Sequence, residues 1–167
     1  MSTSPAAAPQ PEIRELPLTH LIVVRETVPF DQLPSFYDRA YPTLFGALER
    51  LGGAPAAPPM AVVHGNPTAA GLDLSVAVPI ACALAELGDP DDAAVSSETI
   101  PAARTATLLV RGDYSGIGPG YQRLHEWIAA AGETAGDISW EQYLTEPEPG
   151  GDPALNETLL GVPLRAQ

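Results

Sequence analysis

Cys82 is the sole cysteine in a chain of 167 residues, so no internal disulfide can form and nothing points to an oxidising compartment. No cysteine and histidine spacing resembles a zinc site, which leaves the expected metal set empty. Basic residues are also scarce: eight stand against twenty-one acidic ones, for a formal net charge of −13. Such a surface repels a phosphate backbone, and no helix-turn-helix pattern, basic helix or basic arm is present. Direct nucleic-acid binding is therefore not expected. No uninterrupted apolar run is long enough to span a bilayer, so no membrane role is expected. Residues 2–11 are small, polar and proline-rich and lack the charged start and apolar run of a signal peptide. The expectation is a disordered Ala/Pro-rich leader over residues 1–15, a single folded domain over 16–167, and a cytoplasmic protein.

What the chain does contain is a repetition. Tyr41-Pro-Thr-Leu44…Leu48…Gly52 returns at one constant offset as Tyr121-Gln-Arg-Leu124…Ile128…Gly132, and Ala77-Val-Pro-Ile80 returns as Gly161-Val-Pro-Leu164. Upstream of each helix-like segment lies an apolar stretch, Leu21-Ile-Val-Val-Arg25 and Thr107-Leu-Leu-Val-Arg111. The pattern is strand, helix, strand, strand, run twice, with repeat 1 at about residues 18–80 and repeat 2 at about 97–164. The expected fold class is α+β: a pseudo-two-fold antiparallel sheet with two long helices and a central ligand cleft.

Leu33, Phe36, Tyr37, Ala40, Tyr41, Leu44, Phe45, Leu48 and Leu51 recur at helical spacing, and Gly52-Gly53 closes the run. Asp31 is expected to cap this helix and Pro42 to kink it. Gly88-Asp-Pro-Asp-Asp92 reads as a solvated turn, since it lacks the glycine and glutamate positions of a calcium loop. The glycines of Gly112 to Gly120 match neither a P-loop nor a dinucleotide fingerprint, and no cofactor is expected. Residues 97–111 read as one strand opening the second copy, and Glu146 to Pro153 reads as loop.

The copies differ most informatively in the strand after each helix. The helix offset sets Pro59-Met-Ala-Val-Val63 against Ser139-Trp-Glu-Gln-Tyr143, so Ala61 corresponds to Glu141. Strand alternation puts Glu141, Tyr143 and Thr145 on one face and Trp140, Gln142 and Leu144 on the other. A carboxylate in an aromatic strand near the domain centre is expensive to desolvate unless it has work to do. Glu141 is therefore the first candidate, as catalyst or as ligand contact, with a solvated edge-strand acid as the plain alternative. Tyr143 and Tyr114 are expected beside it, and Tyr37, Tyr41, Tyr121 and Trp140 are further candidates for the cleft. Phe36, Phe45 and Trp127 read as core residues. His64, at a strand end, reads first as hydrogen-bonded surface and second as a site residue.

Gly112-Asp-Tyr114 before a Tyr-x-x-Leu helix, Trp140-Glu-Gln-Tyr-Leu-Thr-Glu-Pro147, and Glu157-Thr-Leu-Leu-Gly-Val-Pro-Leu164 together resemble a GyrI-like domain, the effector-binding domain of AraC- and MerR-type bacterial regulators. The likeness runs from about Leu18 to Leu164 and is strongest in the last fifty residues. It implies a stand-alone domain binding an aromatic, cationic or natural-product ligand around a glutamate matched here by Glu141, in drug sensing, sequestration or resistance. Free-standing relatives also imply an alternative and a third reading. The alternative is a hydrolase opening cyclopropane rings of DNA-alkylating natural products, with Glu141 as general acid or base and Tyr143 assisting. The third is a partner protein acting on gyrase or a regulator. The chain departs from the regulators in lacking a DNA-binding domain.

Overall fold

The computed structural model describes residues 9–145 and 151–166. Eight strands form one antiparallel sheet: β1 (Glu12–Leu16), β2 (Thr19–Val28), β3 (Met60–His64), β4 (Leu72–Ile80), β5 (Val95–Ile100), β6 (Ala103–Arg111), β7 (Ile138–Tyr143) and β8 (Glu157–Pro163), in the order β1-β6-β8-β7-β3-β4-β2-β5. Two long helices, α1 (Leu33–Arg50) and α3 (Ile117–Ala130), accompany a single-turn helix α2 (Leu84–Leu87).

Each long helix forms for the reason the apolar spacing implies. α1 buries Phe36, Ala40, Leu44, Ala47 and Leu48 on one stripe, and α3 buries Gly120, Leu124 and Ile128. α1 packs on Ile22, Val24, Leu74, Val76 and Val78, and α3 on Ala106, Leu108, Leu160 and Val162. The two helices end alike. Gly52 and Gly132 both adopt φ near 75°, and Gly53 and Glu133 donate back to the carbonyls of Leu48 and Ile128. Both are glycine-terminated helix ends, with φ > 0 that a side chain would resist. Asp31 does not cap α1. It lies within a 3-10 turn at Phe30–Gln32, and Pro34 in the first helical turn fills a position where the missing donor costs nothing.

The repeat is a spatial symmetry. Met60 lies opposite Ala77 and Trp140 opposite Gly161, the matching residues of the two copies. In the central ladder between β3 and β7, Ala61 is paired with Glu141. A residue paired with its own counterpart sits on the symmetry axis, so the approximate two-fold passes between Ala61 and Glu141.

Three sequence expectations change. Glu12–Leu16 is an edge strand on β6, so the leader expected to reach residue 15 ends earlier. Residues 1–8 of that leader lie outside the described residues. The strand expected over residues 97–111 is two strands: β5 pairs with β2 at one end of the sheet, whereas β6 pairs with β1 and β8 in the other half. Pro101, without an N–H for the ladder, lies where the chain leaves β5 and crosses over. Finally, Ile22 faces Val78 and Ala106 faces Val162. Ile22 thus corresponds to Ala106, and the apolar stretches align two residues away from the alignment that their matching Val-Arg ends imply. The loop expected at Glu146–Pro153 lies partly outside the described residues; its end, Pro153–Leu155, is a 3-10 turn that the Asp152 carboxylate opens by accepting from the Ala154 N–H.

Candidate functional site

β7 carries the site because its alternation delivers two functional side chains to the helix side of the sheet. Glu141 and Tyr143 share that face with Ala61 and the α1 core, while Trp140 and Ile138 point to the opposite face with Met60 and Val62. α1 supplies Tyr37 and Tyr41, one turn apart, with stacked rings 6.0 Å between centroids. α3 supplies Tyr121, the symmetry counterpart of Tyr41. A 3-10 turn at Tyr114–Gly116, opened by the Asp113 carboxylate accepting from the Ser115 N–H, presents Tyr114.

The rings of Tyr41, Tyr37, Tyr143 and Tyr114 form a continuous cluster. Tyr143 meets Tyr37 edge-on at 6.4 Å and Tyr114 at 5.8 Å, and the Tyr143 hydroxyl donates to that of Tyr37 at 3.4 Å. Tyr41 donates to the Met60 carbonyl at 3.0 Å. The chain contains five tyrosines, and all five lie close enough to Glu141 for its charge to raise their pKa. Burial is the larger cause in each case, and Tyr37 is pushed up to about 12. Every phenol in the site therefore stays protonated at neutral pH and can act as a donor.

Glu141 is 8% exposed, and its Oε2 has no hydrogen-bond partner among the described residues. Burial raises its pKa to about 7, an effect that the nearby Tyr143 hydroxyl partly offsets. Among the described residues, no arginine or histidine forms an ion pair with it. A buried carboxyl with an unsatisfied oxygen beside tyrosines is costly to leave without a hydrogen-bond or charge partner.

Of the candidates read from the sequence, Glu141, Tyr143, Tyr114, Tyr121, Tyr37 and Tyr41 come together. Trp140 and His64 do not. Trp140 lies on the far face of the sheet, as the alternation along β7 requires. His64 shares that far face, its Nε2 2.9 Å from the Ser75 hydroxyl and 3.4 Å from Glu98 Oε1. Phe45 is not plain core either: 40% exposed, it stacks on Tyr41 at 6.3 Å and extends the Tyr37–Tyr41 row outward along α1. Among the described residues, no group of three His, Cys, Asp or Glu is arranged to hold a metal, and no helix is long and apolar enough to cross a membrane.

The model of the GyrI-like small-molecule binding domain matches residues 9–165. The chain belongs to the GyrI-like family. Solved structures share the fold of this GyrI-like chain at low sequence identity. The EcmrR C-terminal domain superposes with a TM-score of 0.74 at 16% identity, covering 94% of this chain and 98% of that one. SAV2435 bound to tetraphenylphosphonium gives a TM-score of 0.68 at 14% identity, with 93% and 94% covered. A hydrolase from Listeria innocua gives 0.66 at 14% identity, with 96% and 94% covered. The chain spans 57% of the EcmrR chain in its DNA complex, where the TM-score is 0.79 at 18% identity and 93% of this chain is covered. No curated protein sequence matches it.

Proposed function

We propose that this GyrI-like domain binds a lipophilic aromatic cation in the cleft between α1 and α3, with Glu141 as the charge partner, and that it serves in sensing, sequestering or resisting such compounds. The observation that carries the reading is the buried Glu141 carboxyl with an unpartnered oxygen inside a cage of all five tyrosines. Ring faces attract a cation and lipophilic surface, while a carboxylate without a resident counter-ion gains most from a ligand that brings one. Tetraphenylphosphonium, the compound held by a protein of the same fold, has this chemistry and is the natural probe.

One observation favours a second reading. A carboxyl with a pKa near 7 is present in both protonation states at neutral pH, which suits a general acid or base. In that reading Glu141 protonates a leaving carbonyl or orients water onto the strained carbon of a cyclopropane, with Tyr143 donating a hydrogen bond. Incubating the protein with tetraphenylphosphonium and, separately, with a cyclopropane-bearing alkylator, followed by mass spectrometry, separates the two. Retention of the cation with the alkylator returned unchanged supports the binder. A water adduct of the alkylator that depends on the protein supports the hydrolase, and neither result would leave Glu141 without a role.

A further inference from the structure

The aromatic row on α1 does not stop at the buried carboxyl. Tyr37, Tyr41 and Phe45 succeed one another at four-residue steps, with centroids 6.0 and 6.3 Å apart and interplanar angles of 14° and 27°. Four residues overshoot a 3.6-residue turn by about 40°, so each ring lies one turn further along α1 and further round from its core stripe. Exposure follows that rotation: Tyr37 and Tyr41 are half-buried, whereas Phe45 is 40% exposed. At the inner end Tyr41 donates to the Met60 carbonyl on β3 and Tyr37 meets Tyr143 on β7, which sets the row on the flank of α1 that faces Glu141 and the axis. The rings form a ramp from the carboxyl to the surface, and the next step, Glu49, is an exposed acid that ends it in solvent.

The other wall has no such ramp. The offset that matches Tyr41 with Tyr121 puts Ile117 and His125 at the places of Tyr37 and Phe45. Ile117 packs into the core beneath α3, and His125 is exposed. Tyr114, 43% exposed, reaches Tyr143 from the 3-10 turn and adds a ring at the inner end of the row. The cleft is therefore asymmetric in length as well as in charge, because rings at helical spacing continue outward along α1 and not along α3.

We propose that the cleft takes elongated aromatic cations, with the charged end at Glu141 and an aryl tail laid along Tyr41 and Phe45, so that Phe45 reads the length of the tail. This rests on the cation-binding reading of the Glu141 cleft. From Tyr37 to Phe45 the row advances about 12 Å along the helix axis, the length of three para-linked rings. A phenyl ring at the mouth of a lipophilic path stays wet until a ligand covers it, and its quadrupole favours an aromatic cover over an alkyl one of equal area.

Two cations that share one charged head test this: N-methyl-4-phenylpyridinium, with two rings, and its 4-biphenylyl homologue, with three. Calorimetry on the whole chain should show the third ring raising affinity about ten-fold. Phe45→Ala should bring the ratio of the two affinities close to one, and Phe45→Tyr, which keeps the ring, should preserve it; thermal melts check that both variants are folded. A ratio near one in the parent, a ratio that survives Phe45→Ala, or a ratio lost instead in Tyr114→Ala would overturn the role of Phe45 while leaving the cleft a cation site. Failure of both pyridinium cations and of tetraphenylphosphonium to bind would overturn the cation reading itself, and this inference with it.

Discussion

Glu141 fixes the sign of two pH effects. Burial raises its pKa in the folded chain to about 7 from an ordinary 4.5, so between those values the folded state keeps a proton that the unfolded chain has released. Below about pH 4.5 both states are protonated and burial of the group costs little. The cost grows as pH rises through that window and is fully present above pH 7, at about 3 kcal/mol. Glu141→Gln should therefore stabilise the protein at pH 8 by roughly 1 to 3 kcal/mol, less any cost of the buried amide, and have little effect at pH 4.5. Urea unfolding at the two pH values measures this directly; equal effects at both would mean that the carboxyl is solvated. Binding moves the opposite way. If only the ionised form holds tetraphenylphosphonium, affinity at pH 5.5 should be about 30-fold weaker than at pH 8.5, because the competent fraction is that small. Calorimetry at neutral pH should show Glu141→Gln weakening the cation by roughly 1.5 to 3 kcal/mol, the scale of a lost charge-assisted contact, while neutral aromatics bind as before.

At the level of elements, β7 and β8 meet through a pair that the repeat makes testable. Gly161→Ala would drive a methyl into the Trp140 indole and should destabilise by roughly 1 to 3 kcal/mol, the usual range for overpacking. Adding Trp140→Met recreates the Met60 and Ala77 pair of the first repeat and should recover much of the loss. A double-mutant cycle showing no coupling would mean that the indole can move aside at no cost. The sequence carried the helices plainly, because Leu44, Leu48 and their counterparts Leu124 and Ile128 keep a 3.6-residue period and end at glycines with the same backbone conformation. It concealed the division between β5 and β6, since β-type residues flank Pro101 on both sides and pairing partners are not a local property. Alternation along β7 does set Trp140 on the face away from Glu141. Counting it with the cleft aromatics overrode that period, since an aromatic neighbour of a candidate acid is close in sequence but across the sheet in space. Phe45 was hidden differently: helical spacing does not say where an apolar stripe ends and an exposed rim begins.

The whole molecule offers few basic groups to a polyanion. Six of its eight basic residues, all arginines, are engaged in ion pairs with Glu12, Asp73, Glu26, Glu133, Glu157 and Asp137, and Arg123 donates to Gln10. Duplex DNA binding should be undetectable at physiological salt, and an anisotropy titration giving micromolar affinity would contradict this. Two copies of one unit within a single chain also decide how many charges the cleft can hold. A symmetric dimer of that unit would have to repeat itself on its axis, with two methyl groups or two carboxyls and never one of each. Fusion removes that parity rule, so Glu141 faces Ala61 and one carboxyl stands at the axis. Ala61→Glu should create the symmetric two-acid arrangement: two carboxyls side by side, titrating as a coupled pair with one proton held well above pH 7. Affinity should then shift from singly charged to doubly charged aromatic cations, and a variant with unchanged preference between tetraphenylphosphonium and a bis-cationic dye would show that the axis does not set the count.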